Sequence, residues 1–186
     1  MRALSDQEII ESVLSGNVND YTSLINRYKT KAFSLLLRML RNRMEAEEAL
    51  QDSFLKAYRN LGSFRKESAF GTWFYKIVYN TAITRLNSKR SRNDKGLISI
   101  DEKENLPELN YTGDRNSISE ILSELVDQLP ENYGTVITLF YINGYNCEEI
   151  AGLTNNSVSN VKVLLYRART ALKNKISELK LEKELL

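Results

Sequence analysis

The sequence predicts an all-α protein: two small helical domains, the second carrying a helix-turn-helix, joined by a flexible linker. Apolar residues recur at three- and four-residue steps along most of the chain, the period of helices with one buried face. Neither a run of alternating strands nor an internal repeat interrupts them. A polar stretch, 93–117, holds Pro107 and Gly113 but few large apolar residues, and reads as the linker. The domains are therefore placed at 1–92 and 118–180, with 181–186 as a tail.

Ser5 and Glu8 have the spacing of a capping box, and Gly16 ends the short helix they open. Tyr21, Leu24, Ile25, Tyr28, Ala32, Leu35, Leu36, Met39 and Leu40 then trace a long amphipathic stripe. A third helix is expected over 44–61, with Ala46, Ala49, Leu50, Phe54, Ala57 and Leu61 inward and Gly62 as its stop. The ten-residue loop GSFRKESAFG leads to a fourth helix beginning near Thr72, whose buried side is Trp73, Phe74, Ile77, Val78, Ala82 and Leu86.

In the second domain, 146–169 read as two helices joined by a tight turn. Asn146 and Glu149 form another capping box, so the first helix starts near Cys147 and buries Ile150, Ala151 and Leu153. Thr154-Asn155-Asn156 breaks the pattern with residues that tolerate left-handed geometry, and Ser157 caps the next helix. Val158, Val161, Leu164, Leu165 and Ala168 form its buried stripe, leaving Ser159, Asn160, Lys162, Tyr166, Arg167 and Arg169 outward. Helix-turn-helix proteins lay such a helix in the major groove.

Net charge is only +2, so distribution matters more than balance. Residues 157–175 carry Lys162, Arg167, Arg169, Lys173 and Lys175 with no acid, and 85–95 carry Arg85, Lys89, Arg90, Arg92 and Lys95 against Asp94. Between them, 99–114 set Asp101, Glu102, Glu104, Glu108 and Asp114 against Lys103. Phosphates attract the basic blocks and repel the acidic one, which suggests two DNA-facing modules on an acidic connector.

Composition narrows the function classes. The chain of 186 residues has no histidine and one cysteine, Cys147, which removes the commonest general base, the commonest zinc ligand and any internal disulfide. Paired carboxylates, phosphate-cradling glycines and a nucleophile with its base are missing too, so neither enzyme chemistry nor a metal or other cofactor is expected. No apolar stretch is long enough for a bilayer or a secretory leader, and a cytoplasmic location without membrane insertion is expected.

A second chemical signal lies in 58–79, where Tyr58, Phe64, Phe70, Trp73, Phe74, Tyr75 and Tyr79 gather 7 of the chain's 17 aromatic residues. Phe64 and Phe70 sit in the polar loop with Arg65, Lys66 and Ser68, outside any helical stripe. Rings beside cations suit unstacked bases, as single-stranded nucleic acid is commonly held. Tyr75, Lys76, Tyr79 and Asn80 lie across the helix from Ile77 and extend that surface.

On these residues the chain resembles the sigma-70 family of bacterial transcription initiation factors, specifically the short extracytoplasmic-function type. AEEALQDSFLKAYRNL at 46–61 is similar to the family's segment that docks on core RNA polymerase, which implies contacts from Glu48, Gln51, Asp52, Phe54 and Leu55. GSFRKESAFGTWFYKIVYNTA at 62–82 resembles the segment that opens and reads the minus-ten element, implying a pocket for a flipped base near Phe64, Lys66, Ser68 and Phe70. LPENYGTVITLFYINGYNCEEIAGL at 129–153 and NVKVLLYRAR at 160–169 resemble the minus-thirty-five reader, implying contacts from Ser157, Ser159, Asn160, Lys162, Val163, Tyr166 and Arg167. The resemblance thus implies a sigma-2-like domain at 1–92 and a sigma-4-like domain at 118–180. Its implied partners are core RNA polymerase, promoter DNA and an anti-sigma factor.

Two departures from the family pattern stand out. Val163 and Leu164 replace a serine and an arginine, which shifts DNA contact toward Lys162, Tyr166 and Arg167. Asn155 and Asn156 replace a glycine and an aliphatic residue, and the polar Asn156 is expected to loosen the turn. Two rival readings exist. A helix-turn-helix regulator independent of polymerase explains 130–175 but leaves 46–82 unexplained, and a helical RNA-binding or protein-binding adaptor explains only the aromatic loop.

Overall fold

The structure, a computed structural model, describes residues 4–94 and 118–184, and side chains within 4–92 and 121–178. The linker expected at 93–117 lies, apart from its first two residues, outside them. Every element among the described residues is helical, and the chain divides into two compact units, 1–103 and 104–186.

The first unit holds α1 (Asp6–Leu14), α2 (Tyr21–Leu40), α3 (Arg43–Arg59) and α4 (Phe70–Asp94). Local chemistry sets their ends. The Ser5–Glu8 capping box opens α1, and Gly16, at φ +112°, turns the chain just beyond it. Only Arg41 and Asn42 separate α2 from α3: Arg41 closes α2 in left-handed geometry, and the Asn42 side chain accepts the Glu45 amide at 2.8 Å. So short a connection makes α2 and α3 an antiparallel pair. Residues Ile9, Ile10, Leu24, Leu35, Leu36, Met39, Leu61, Phe74 and Val78 fill the space between the four helices, each no more than 2% exposed. Tyr21 joins them, its hydroxyl donating to the Phe54 carbonyl at 2.8 Å, and burial pushes its pKa up.

Two boundaries differ from expectation. Helix α3 ends at Arg59, and Gly62 lies inside a following 3-10 turn, Leu61–Ser63, instead of stopping the helix. Helix α4 starts at Phe70, two residues before Thr72, because Phe70 is drawn into the aromatic core and the loop shortens to 64–69.

The second unit consists of α5 (Ile118–Asp127), α6 (Glu131–Ile137), α7 (Cys147–Thr154) and α8 (Val158–Glu184), with a π-helical turn, Thr138–Ile142, prolonging α6. Leu129, Leu139, Ile150, Leu153, Val161, Leu165 and Ala168 close its core. Helix α8 continues through most of the segment expected to be a tail, as far as Glu184.

The turn between α7 and α8 is stronger than its sequence suggests. Asn155 ends α7 in left-handed geometry, at φ 53° and ψ 37°, with its amide bonded to the Ala151 carbonyl. Asn156 does not loosen the motif: its Nδ2 donates to Thr154 Oγ1 at 3.0 Å, and its Oδ1 accepts from Asn160 Nδ2 at 2.7 Å, pinning the turn to α8. Asn155→Ala should cost about 1–2 kcal/mol, the left-handed penalty of a residue with a plain Cβ. Chemical unfolding followed by circular dichroism measures that loss.

Candidate functional site

Helix α3 buries Ala46, Ala49, Ser53, Phe54 and Ala57 against α2 and α4. Its outer face carries Glu48, Gln51 and Leu55, and Leu55 is 52% exposed. Met44, which sequence reasoning missed, extends this strip by one helical turn and is 68% exposed. The spacing 44, 48, 51 and 55 was the available signal. Phe54 does not belong to the strip: it is 7% exposed and stacks on Phe74 with ring centres 4.6 Å apart.

The acids of α3 already have cationic neighbours. Arg85 of α4 bridges Glu48 at 2.9 Å and Asp52 at 2.5 Å, and Lys89 reaches Glu45 at 3.3 Å. Burial lowers the Arg85 pKa, but the bonds to Asp52 and Glu48 outweigh that effect and raise it. The basic block at 85–95 is therefore no uniform DNA-facing patch. Its first two cations hold α4 to α3, and Arg90 and Arg92 remain exposed.

The expected minus-ten surface also divides. Phe70 and Tyr75 are each 3% exposed, so neither offers a ring to a base. Phe70 stacks on Phe74 at 5.9 Å and meets Tyr28 edge-on at 5.4 Å, while Tyr75 packs edge-on to Tyr28 and Phe74. Half-buried Phe64 rests against Trp73 at 5.2 Å. Lys66 is exposed, in left-handed geometry at φ 61°, and its ammonium pairs with Glu11 of α1 at 2.9 Å. That bond, then one from Gln7, lowers the Glu11 pKa. Ser68 and Lys76 are exposed, and Tyr79 is half-buried.

An open hollow of ≈ 370 Å³ lies beside this loop, lined by Lys56, Asn60, Ser63, Trp73, Ile77, Asn80, Thr81 and Thr84. Of the expected residues only Asn80 reaches it. Trp73 and Ile77, which periodicity places on the buried side of α4, are both half-buried and line the hollow. Lys56 Nζ donates to Thr81 Oγ1 at 3.1 Å, which sets a cation against the wall. Ser63 and Thr84 spend their hydroxyl protons on the Asn60 and Asn80 carbonyls. The Asn80 side-chain amide is exposed at the hollow and can present both a donor and an acceptor to a ligand edge. An indole face beside a cation and an amide matches the chemistry of an unstacked base.

In the second unit Ser157 caps α8 by accepting the Asn160 amide at 3.1 Å. Ser159, Lys162, Val163, Tyr166 and Arg167 point outward. Arg169 is outward too but engaged: its Nε donates to the Tyr141 hydroxyl at 2.8 Å, and its guanidinium lies 5.5 Å from the Phe140 ring centre. Among the described residues no cluster of acidic or cysteine side chains could hold a metal, and no helix is long and apolar enough to cross a membrane.

A helix-turn-helix with a cationic outer face in one unit, and an aromatic-walled hollow in the other, define a helical nucleic-acid-binding protein. Comparison with known proteins identifies which kind. Residues 24–92 match the family model Sigma-70 region 2, and residues 119–172 match Sigma-70, region 4. The ECF RNA polymerase sigma-E factor of Haemophilus influenzae is 34% identical over 185 residues, spanning 95% of this chain and 97% of that protein. The RNA polymerase sigma-H factor of Pseudomonas aeruginosa is 31% identical over 176 residues, 90% of this chain and 91% of that one. Among solved structures, the sigma factor RpoE of Bartonella quintana, crystallised with the anti-sigma factor NepR, has a TM-score of 0.69 at 19% identity, covering 85% of this chain and 97% of that chain. The chain belongs to the sigma-70 family of transcription initiation factors, in its extracytoplasmic-function group.

Proposed function

We propose that this chain binds core RNA polymerase and directs it to specific promoters, reading a minus-ten and a minus-thirty-five element and assisting strand opening, without being an enzyme itself. The observation that carries this reading is the division of labour across α3 and α4. One face of α3 offers Met44, Gln51 and Leu55, an exposed apolar and polar strip beside the Glu48–Arg85 ion pair and suited to a protein partner, while the hollow beside Trp73 suits an unpaired base. Helix α8 adds duplex recognition through the major groove.

Each contact is weak alone. Polymerase holds both units on one DNA molecule, so the second contact forms at high effective concentration. Strand opening follows because the hollow takes a base only after it has left the stack, so its binding free energy favours the melted state. No nucleotide hydrolysis is needed for that step. The working place is the cytoplasm, with polymerase, and an anti-sigma partner would act by covering these faces.

Run-off transcription with bacterial core polymerase tests the reading. Added chain should produce discrete start sites, and an unchanged start pattern would end the proposal. Leu55→Asp probes docking: loss of an exposed anchor should weaken core binding by about 2 kcal/mol, roughly thirtyfold. Pull-down titration measures that change, with thermal unfolding unaltered because Leu55 is not in the core.

A further inference from the structure

We propose that Val163 reads the 5-methyl group of a thymine in the upstream promoter element, selecting that base by an apolar contact. The inference rests on the initiation-factor reading and deepens it by naming the base chemistry that α8 takes.

Val161, Leu165 and Ala168 are buried, which fixes the rotation of α8 about its axis. At 3.6 residues per turn, the opposite arc runs from Lys162 through Tyr166, Ser159 and Val163 to Arg167. Val163 sits near the middle of that arc with Tyr166 one turn further on, and the two are 43% and 71% exposed. Lys162 and Arg167 occupy its two edges. A helix in the major groove presents its central line to base edges and its flanks to phosphates. Val163, with Ser159 and the Tyr166 ring beside it, therefore faces bases, and the cations face the backbone.

Valine has no donor or acceptor, so it cannot read guanine, adenine or cytosine by hydrogen bonding. The thymine methyl is the one apolar group that base pairs present in this groove. Of the polar side chains near Val163, Asn160 Nδ2 binds Asn156, Ser157 Oγ accepts the Asn160 backbone N–H and Arg169 is drawn to Tyr141, while exposed Ser159 lies on the arc beside Val163. Hydrogen-bond readout on this face is therefore left to groups around Val163, and at Val163 itself only apolar complementarity can select a base.

Uracil differs from thymine only by that methyl, which makes the test direct. A randomised duplex library is first selected with the full chain bound to core polymerase. Each thymine of the selected upstream element is then replaced singly by deoxyuridine. One replacement should weaken complex formation about fourfold, the effect of burying one methyl. Val163→Ser should make thymine and uridine equivalent at that position while keeping the circular dichroism spectrum of the parent, since Val163 is outside the core. An element with no uridine-sensitive thymine overturns the proposal, as does a sensitivity that survives Val163→Ser. Failure of the parent chain to select any sequence strikes the initiation-factor reading instead, so the two failures are distinguishable.

Discussion

Phe74→Ala should lower the stability of the first unit by about 3–5 kcal/mol, the range for deleting a fully buried ring. Phe74 is 0% exposed and lies at the centre of an aromatic cluster. It stacks on Phe54 at 4.6 Å and on Phe70 at 5.9 Å, and meets Tyr28 edge-on at 5.7 Å. These neighbours start from three different helices, α2, α3 and α4, so no single element can move to fill the hole. Aromatic pairs add about 0.5–1.5 kcal/mol each beyond their buried area. Domains of this size have only about 5–15 kcal/mol in total, so the variant should be partly unfolded at warm temperatures. The sole tryptophan, Trp73, belongs to this unit and reports it without interference from the other. Urea titration followed by its fluorescence should show an earlier midpoint at an unchanged slope. A loss under about 1 kcal/mol would contradict the closed packing described for this cluster.

How legible these features were depends on the range of the forces that set them. Both capping boxes, Ser5–Glu8 and Asn146–Glu149, appear where the spacing places them, because each bond spans three residues and needs no tertiary partner. The left-handed turn at Asn155 is equally local. Burial on α4 is not. Phe70, Trp73, Phe74, Tyr75, Ile77 and Val78 surround the start of that helix with apolar side chains, so periodicity cannot say which of them face the core. The packing of α2 and α3 decides it, taking in Phe70 and Tyr75 and leaving Trp73 and Ile77 at the rim of the hollow. Lys56, Asn60 and Thr84 carry no local signal for a related reason: Lys56 lies on α3, Asn60 caps its end and Thr84 lies on α4, so they share a site only after the two helices have packed. Arg85 shows the same limit for charge, since a basic run in one dimension becomes an ion-pair seam when Glu48 and Asp52 stand opposite it.

Trp73→Ala should slow promoter opening about 5- to 150-fold, the equivalent of losing one base–aromatic stack worth about 1–3 kcal/mol. The indole is half-buried and lines the hollow, and Phe64 packs against it at a tilt with ring centres 5.2 Å apart. An aromatic π-face favours an unstacked base over water, whereas it gains nothing from a base still paired in the duplex. The substitution should therefore act on melting and leave the upstream contact alone. Permanganate reactivity of unpaired thymines measures opening, and protection of the minus-thirty-five element measures upstream binding. A template with a preformed bubble adds a discriminating readout, because a stacking loss persists on it as weaker retention of the melted strand. A purely structural defect in the unit would instead appear as an earlier unfolding midpoint. Trp73→Phe keeps a π-face and should recover most of the opening rate. Wild-type opening by Trp73→Ala, or failure of Trp73→Phe to improve on it in a folded protein, would remove the tryptophan from the site and leave Lys56 and Asn80 as its remaining recognition groups.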